Sequence, residues 1–132
     1  MGKSAQIGTV NEIANFCNLA KFYYPAVDFG HVNSRTQGSV KTVEDYFEIF
    51  DEIEDVCGYE KLNNMHVHFS KIMYGDKGEI KHLTFEDEHY GPNFQPLLKV
   101  VKELGLEPFV ICESAGTQDI DAVKMQKFYL DN

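Results

Sequence analysis

Five side chains of this sequence have the chemistry of metal ligands and stand in or at the ends of short apolar runs: Asp28, His31, His66, His82 and Glu113. Carboxylate oxygens and imidazole nitrogens are ligand atoms for both zinc and manganese. Asp28 and His31 close the run Ala26-Val27-Asp28-Phe29-Gly30-His31, at a spacing that lets both side chains turn toward one position. His66 lies in Met65-His66-Val67-His68-Phe69-Ser70-Lys71, where the two-residue period of a strand puts His66 and His68 on one face. His82 follows in Lys81-His82-Leu83, and Glu113 ends the apolar run Pro108-Phe109-Val110-Ile111-Cys112. A carboxylate there costs several kcal/mol if buried unpaired, and the small residues Ser114, Ala115 and Gly116 leave room beside it for an ion or substrate. Each residue has a plainer role open to it. Asp28 can cap a loop, His31 can be a surface histidine, an inward histidine can be a hydrogen-bonded core residue, and Glu113 can pair with a lysine. Taken together, two histidines on one strand face, a third downstream and a glutamate closing the next strand favour a metal site.

The elements that must position these groups follow from caps and periodicity. Thr9-x-x-Glu12 is a capping-box pattern that opens a helix from about Val10 to Ala20. Phe22 to Phe29 reads as a strand and His31 to Lys41 as a loop. Thr42-x-x-Asp45 starts a second helix whose apolar positions Val43, Tyr46, Phe47, Ile49, Phe50, Ile53 and Val56 recur at helical spacing up to Gly58. Asn64 to Phe69 is the next strand, followed by a long polar connection from Tyr74 to Asn93 of the kind that is usually functional or mobile. Asn93 caps a third helix through Leu97, Leu98, Val100, Val101 and Leu104, with Gly105 at its end. Pro108 to Glu113 reads as a continuous apolar strand of the buried parallel type, and Thr117 caps a last helix through Ile120, Val123, Met125, Phe128 and Leu130. The order α-β-α-β-α-β-α carries no hairpin signal, so the expected sheet is parallel with right-handed crossovers.

The bulk properties bound the functions. A chain of 132 residues has room for one domain, whereas a (β/α)₈ barrel takes about 250. Three apolar runs with ligands toward their carboxyl ends follow the plan of such a barrel, so the expected fold class is α/β, about three βα units of a TIM barrel. The unpaired strands of a partial barrel are a template for association, which predicts a homo-oligomer or pairing with an N-terminal half-barrel. A net charge of −9 argues against a broad phosphate-binding surface. Much of the acid, from Glu44 to Asp55, suits the solvated face and N-terminus of the second helix. Cys17, Cys57 and Cys112 are odd in number and far apart, which argues for reduced, mostly buried thiols rather than a disulfide framework or zinc knuckle. No apolar run approaches the ~20 residues of a membrane span, and Met1-Gly2-Lys3-Ser4-Ala5-Gln6 lacks a signal peptide's hydrophobic segment, so a cytoplasmic location is the default expectation.

At its ligand residues the chain resembles the endonuclease IV family, the apurinic/apyrimidinic endonuclease family 2 within the xylose isomerase-like TIM barrels. Asp28-Phe29-Gly30-His31 is similar to the family's Asp-x-x-His pair, which bridges two metals, and the His66 segment to the strand supplying another ligand histidine. His82 falls where the family places the histidine of its third metal, and Ile111-Cys112-Glu113-Ser114 with Gly116-Thr117-Gln118-Asp119 resembles the final strand and its turn. The resemblance covers nearly the whole chain but only the C-terminal part of the family's barrel. It implies a metal-dependent phosphodiester hydrolase of the abasic-site DNA repair type, with zinc ahead of manganese as cofactor and Asp28, His31, His66, His82 and Glu113 as ligands. The departures are specific. Ile80 stands where the family has an aspartate two residues before the third-metal histidine, with Glu79 one residue further back, and His68-Phe69 replaces Asn-Asp. The family's earlier ligands, including a bridging glutamate, have no counterpart, so the chain is expected to hold half a metal site and to be weak or inactive alone. Two other readings stand beside this one. The chain could belong to a sugar or sugar-phosphate isomerase of the same superfamily, acting on a small phosphorylated sugar instead of abasic DNA. It could also be a non-catalytic barrel fragment that self-assembles.

Overall fold

Thr9 opens the first helix, α1 (Val10–Cys17), through a reciprocal cap: its hydroxyl accepts from the Glu12 N–H at 3.1 Å while the Glu12 carboxylate accepts from the Thr9 N–H at 3.4 Å. Residues 9–132 are described in the computed structural model; the N-terminal hexapeptide considered above lies outside them. The helix ends three residues before the expected Ala20, because Lys61 Nζ takes the carbonyls of Cys17 and Ala20 and satisfies the frayed end from outside. The first strand, β1 (Ala26–Asp28), is correspondingly short. Phe22, Tyr23 and Tyr24 precede it at the surface, with Phe16 and Tyr23 stacked at 5.5 Å.

The expected loop from His31 is instead the helix α2 (Phe29–Arg35). Asp28 caps it by accepting from the His31 N–H at 3.0 Å, and Phe29 and Val32 become buried, which supplies the reason the chain coils so soon after a strand. Gln37 and Gly38, both at positive φ (56° and 92°), turn the chain out of it. The capping box of Thr42 and Asp45 starts α3 (Val43–Cys57) as expected, and Gly58 at φ 88° stops it. A short helix not anticipated from the sequence, α4 (Tyr59–Asn63), buries Leu62 before β2 (His66–Phe69).

The start of the polar connection is a second correction. It holds an antiparallel hairpin, β3 (Ile72–Gly75) and β4 (Gly78–His82), turned at Asp76-Lys77 with Gly78 at φ 105°. Then come α5 (Phe94–Glu103), β5 (Phe109–Cys112) and α6 (Gln118–Asp131). Among the described residues β1, β2 and β5 form a parallel sheet in the order β1-β2-β5, the hairpin stays separate, and no barrel is closed. The fold is thus mixed α/β, a parallel sheet flanked by helices.

The two faces of the sheet differ. Val27, Val67 and Phe69 are buried against helix residues that include Tyr46, Phe50, Ile53, Leu97 and Val100, each buried aromatic or aliphatic side chain being worth roughly 1.5–3 kcal/mol. Register places Ala26, His66 and Phe109 at one level and Asp28, His68 and Ile111 at the next, so these residues share the opposite face. The expectation that the Pro108–Glu113 run is buried fails here. Phe109, Val110 and Ile111 are 61%, 39% and 47% exposed, because β5 is an edge strand that the described residues cover only in part, α6 meeting it at Cys112 through Met125. None of the described helices is long and apolar enough to cross a membrane.

Candidate metal centre

Strand register brings the first group together. Asp28 pairs in level with His68, and Glu113 lies two residues past Ile111 on the same face, its N–H donating to the Phe69 carbonyl at 2.9 Å. The His68 Nδ1 and a Glu113 carboxylate oxygen are in direct contact. The second group depends on the hairpin, which lays Glu79 and His82 against α2. There His31 Nδ1 is 2.5 Å from Glu79 Oε2, and the rings of His31 and His82 meet edge to face at 5.8 Å. In each group, Asp28–His68–Glu113 and His31–Glu79–His82, one ligand atom per residue lies within 4.8 Å of the others. His31 joins them, since its Nε2 is 3.3 Å from Asp28 Oδ2.

A single glycine permits this approach. A Cβ on Gly30 would sit 2.7 Å from the Ser70 carbonyl oxygen and 2.7 Å from Ile72 Cδ1, so only glycine lets the start of α2 press against the segment joining β2 to β3. Ser70 also supports the site: its hydroxyl is 2.8 Å from His82 Nδ1, which orients the ring and leaves Nε2 free of that bond.

The hydrogen-bond pattern tests whether a cation suits these residues. His31 Nδ1 and Glu79 Oε2 are both buried and neither makes a hydrogen bond, although they are 2.5 Å apart. Their close approach therefore lacks hydrogen-bond geometry, and a buried lone pair left this way is costly. A cation held by both, with His82 beside them, would satisfy two donors of the type zinc and manganese accept. Asp28 divides its duties, with Oδ1 engaged as the α2 cap and Oδ2 turned to His31. Burial pushes its carboxyl above the usual carboxylate range; the His31 N–H and ring act against that shift, and neighbouring Glu113 adds to it. The thiols are not part of the centre. All three are unbridged and none lies in either group, and burial pushes the Cys112 thiol up to about 11.

No protein-family model matches the chain, and no solved structure matches it. The chain is 33% identical over 128 residues, 97% of its own length, to the uncharacterized protein MJ0133 of Methanocaldococcus jannaschii. It spans 45% of that relative, less than half of its length.

Of the residues singled out from the sequence, the structure gathers Asp28, His31, His82 and Glu113 and leaves His66 apart. His66 is exposed one level further from the rim, where its ring stacks on Phe109 at 5.1 Å. His68 and Glu79 are the members that sequence reasoning missed. For His68 the signal was present, since it shares the face of His66 and lies closer to the carboxyl end of the strand. Glu79 could be placed only once the hairpin was known.

Proposed function

We propose that this chain carries a divalent-metal centre, zinc ahead of manganese, in the C-terminal part of an endonuclease IV-like, xylose isomerase-like TIM barrel. The observation that carries the reading is the buried, hydrogen-bond-free pair His31 Nδ1 and Glu79 Oε2 beside His82. The parallel sheet with its polar cluster at the carboxyl ends of β1, β2 and β5 fits the barrel part of it. Bound there, divalent ions would activate a water and stabilise the charge developing on a phosphodiester. The chain's own residues supply the frame: Asp28 and His31 link the two groups, Ser70 orients His82, and Glu113 holds the imidazole of His68. Elemental analysis after dialysis against zinc or manganese tests the site. The wild-type chain should retain more metal than Glu113→Ala; equal and negligible retention in both would remove the assignment.

The hydrolase reading predicts little or no cleavage of an abasic duplex by these 132 residues alone, because the family's upstream histidines and bridging glutamate have no counterpart and the charge of −9 weakens encounter with DNA. Robust, chelator-sensitive cleavage by the purified chain would overturn that expectation. The same acidic balance favours a second reading, a sugar or sugar-phosphate isomerase, whose small phosphorylated substrate needs no basic groove.

Completion of the barrel, by a second copy or by an N-terminal half, is part of the proposal. Its support is the exposure of Phe109, Val110 and Ile111 on the edge strand β5 and the greater length of the relative. Light scattering across a concentration series should show a dimer forming as concentration rises. A monomer persisting at high micromolar concentration would show that the chain shields its own edges.

A further inference from the structure

A second polar concavity lies outside the acid–histidine cluster and shares none of its residues. It is a cavity of about 590 Å³ whose walls include Asn33, Lys41, Lys71, Tyr74 and Tyr90. That volume falls in the roughly 300–1,000 Å³ range of small-molecule sites.

Lys71 is 8% exposed, and its ammonium donates only to backbone carbonyls, those of Phe85 at 3.1 Å and of Asp87. Among the described residues no carboxylate forms an ion pair with it. An ammonium has three donors, so one is left over, and Glu86 and Asp87 act on this buried charge through space without forming an ion pair with it. The acids on the same wall are engaged elsewhere or exposed. Glu86 pairs with Lys124 at 2.6 Å, Asp87 accepts from the N–H groups of His89 and Tyr90 at 2.9 and 2.8 Å, and Glu88 is exposed.

Asn33 adds a second unused donor. It is 3% exposed, and its side-chain oxygen accepts from the Val40 N–H at 2.9 Å, which fixes the amide so that Nδ2 is the free end. That Nδ2 has no acceptor among the described residues. The hydroxyls of Tyr74 and Tyr90, whose rings meet edge to face at 5.2 Å, also have none. The Tyr74 hydroxyl is seated against Gly38, where a Cβ would come within 2.4 Å of it. One ammonium, one amide and two hydroxyls thus line one cavity without acceptors. The three terminal oxygens of a phosphate group can take up four donors, and its charge of up to −2 answers the Lys71 ammonium more strongly than a carboxylate's single charge does.

We propose that this cavity is a binding site for phosphate, free or as the phosphoryl group of a small metabolite, with Lys71 as its charged anchor and Asn33 as its second donor. The inference does not depend on the metal reading. Calorimetric titration with inorganic phosphate, in the presence of a chelator so that metal-held phosphate does not contribute, tests it. The expected result is saturable binding, tighter than for acetate, and weakened about tenfold or more by Lys71→Met and by Asn33→Asp. Asn33→Asp keeps the acceptor for the Val40 N–H while repelling an anion, so it serves if Lys71→Met fails to fold, as judged by circular dichroism. Titration with glucose 6-phosphate in parallel separates the two sources, the phosphorylated compound binding more tightly if the rest of the cavity holds a metabolite. Absence of saturable phosphate binding, or undiminished binding by folded Asn33→Asp, would overturn the proposal.

Discussion

His31→Ala should lower the affinity of the chain for zinc or manganese by ~100-fold or more, because even loss of a partner that merely supports a ligand costs 10–100-fold. His31 is the residue on which the two groups meet: one ring nitrogen is 2.5 Å from Glu79 and the other 3.3 Å from Asp28. Its removal takes a ligand from one group and a neighbour from the other. His66→Ala is the matched control and should leave affinity unchanged, since that ring lies on Phe109 away from both groups. Competition against a chromogenic chelator measures both. Equal losses in the two variants would mean that the metal is bound elsewhere.

The second large effect is on stability. Gly30→Ala should destabilise the metal-free protein, although helix propensity alone favours alanine in α2 by ~1 kcal/mol. The opposing contact decides the sign. The added methyl would stand 2.7 Å from the Ser70 carbonyl oxygen, a backbone atom that cannot swing aside, and overpacking of this kind costs typically ~1–3 kcal/mol. At roughly 4 °C per kcal/mol for a chain of this size, the melting temperature should fall by several degrees. Because Gly30 sits between Asp28 and His31, relief of the clash pushes α2 away from the hairpin and separates His31 from Glu79. Metal affinity should therefore fall with stability. A variant that melts higher than the wild type would contradict the close approach of α2 to Ser70.

The parts of this structure that can be read from sequence are those where one local signal suffices. Thr9–Glu12 and Thr42–Asp45 place two helix starts through reciprocal caps, and the apolar period of Tyr46, Phe50 and Ile53 fixes the buried face of α3. What sequence reading misses depends on context. Phe29-Gly30-His31 contains a glycine and follows a strand, so α2 becomes evident only when Asp28 is seen as its cap and Phe29 as core. Ile72 to His82 has too short and too mixed an alternation to announce a hairpin, and with the hairpin goes Glu79. Phe109-Val110-Ile111 reads the same whether a strand is enclosed or at an edge, which is why its exposure was not foreseen. For the histidines of β2, period two gives the shared face of His66 and His68, but the level along the strand, which puts His68 beside Asp28 and Glu113 and leaves His66 apart, comes from pairing Asp28 with His68.

The central claim is that His31, Glu79 and His82, with Asp28, His68 and Glu113 beside them, form a metal centre. Anomalous diffraction at the zinc edge from crystals equilibrated with zinc tests it most directly. The account predicts a peak enclosed by His31, Glu79 and His82, and a second bounded by Asp28, His68 and Glu113. Zinc found only at surface histidines such as His66 and His89, with the His31–Glu79 contact undisturbed, would contradict it.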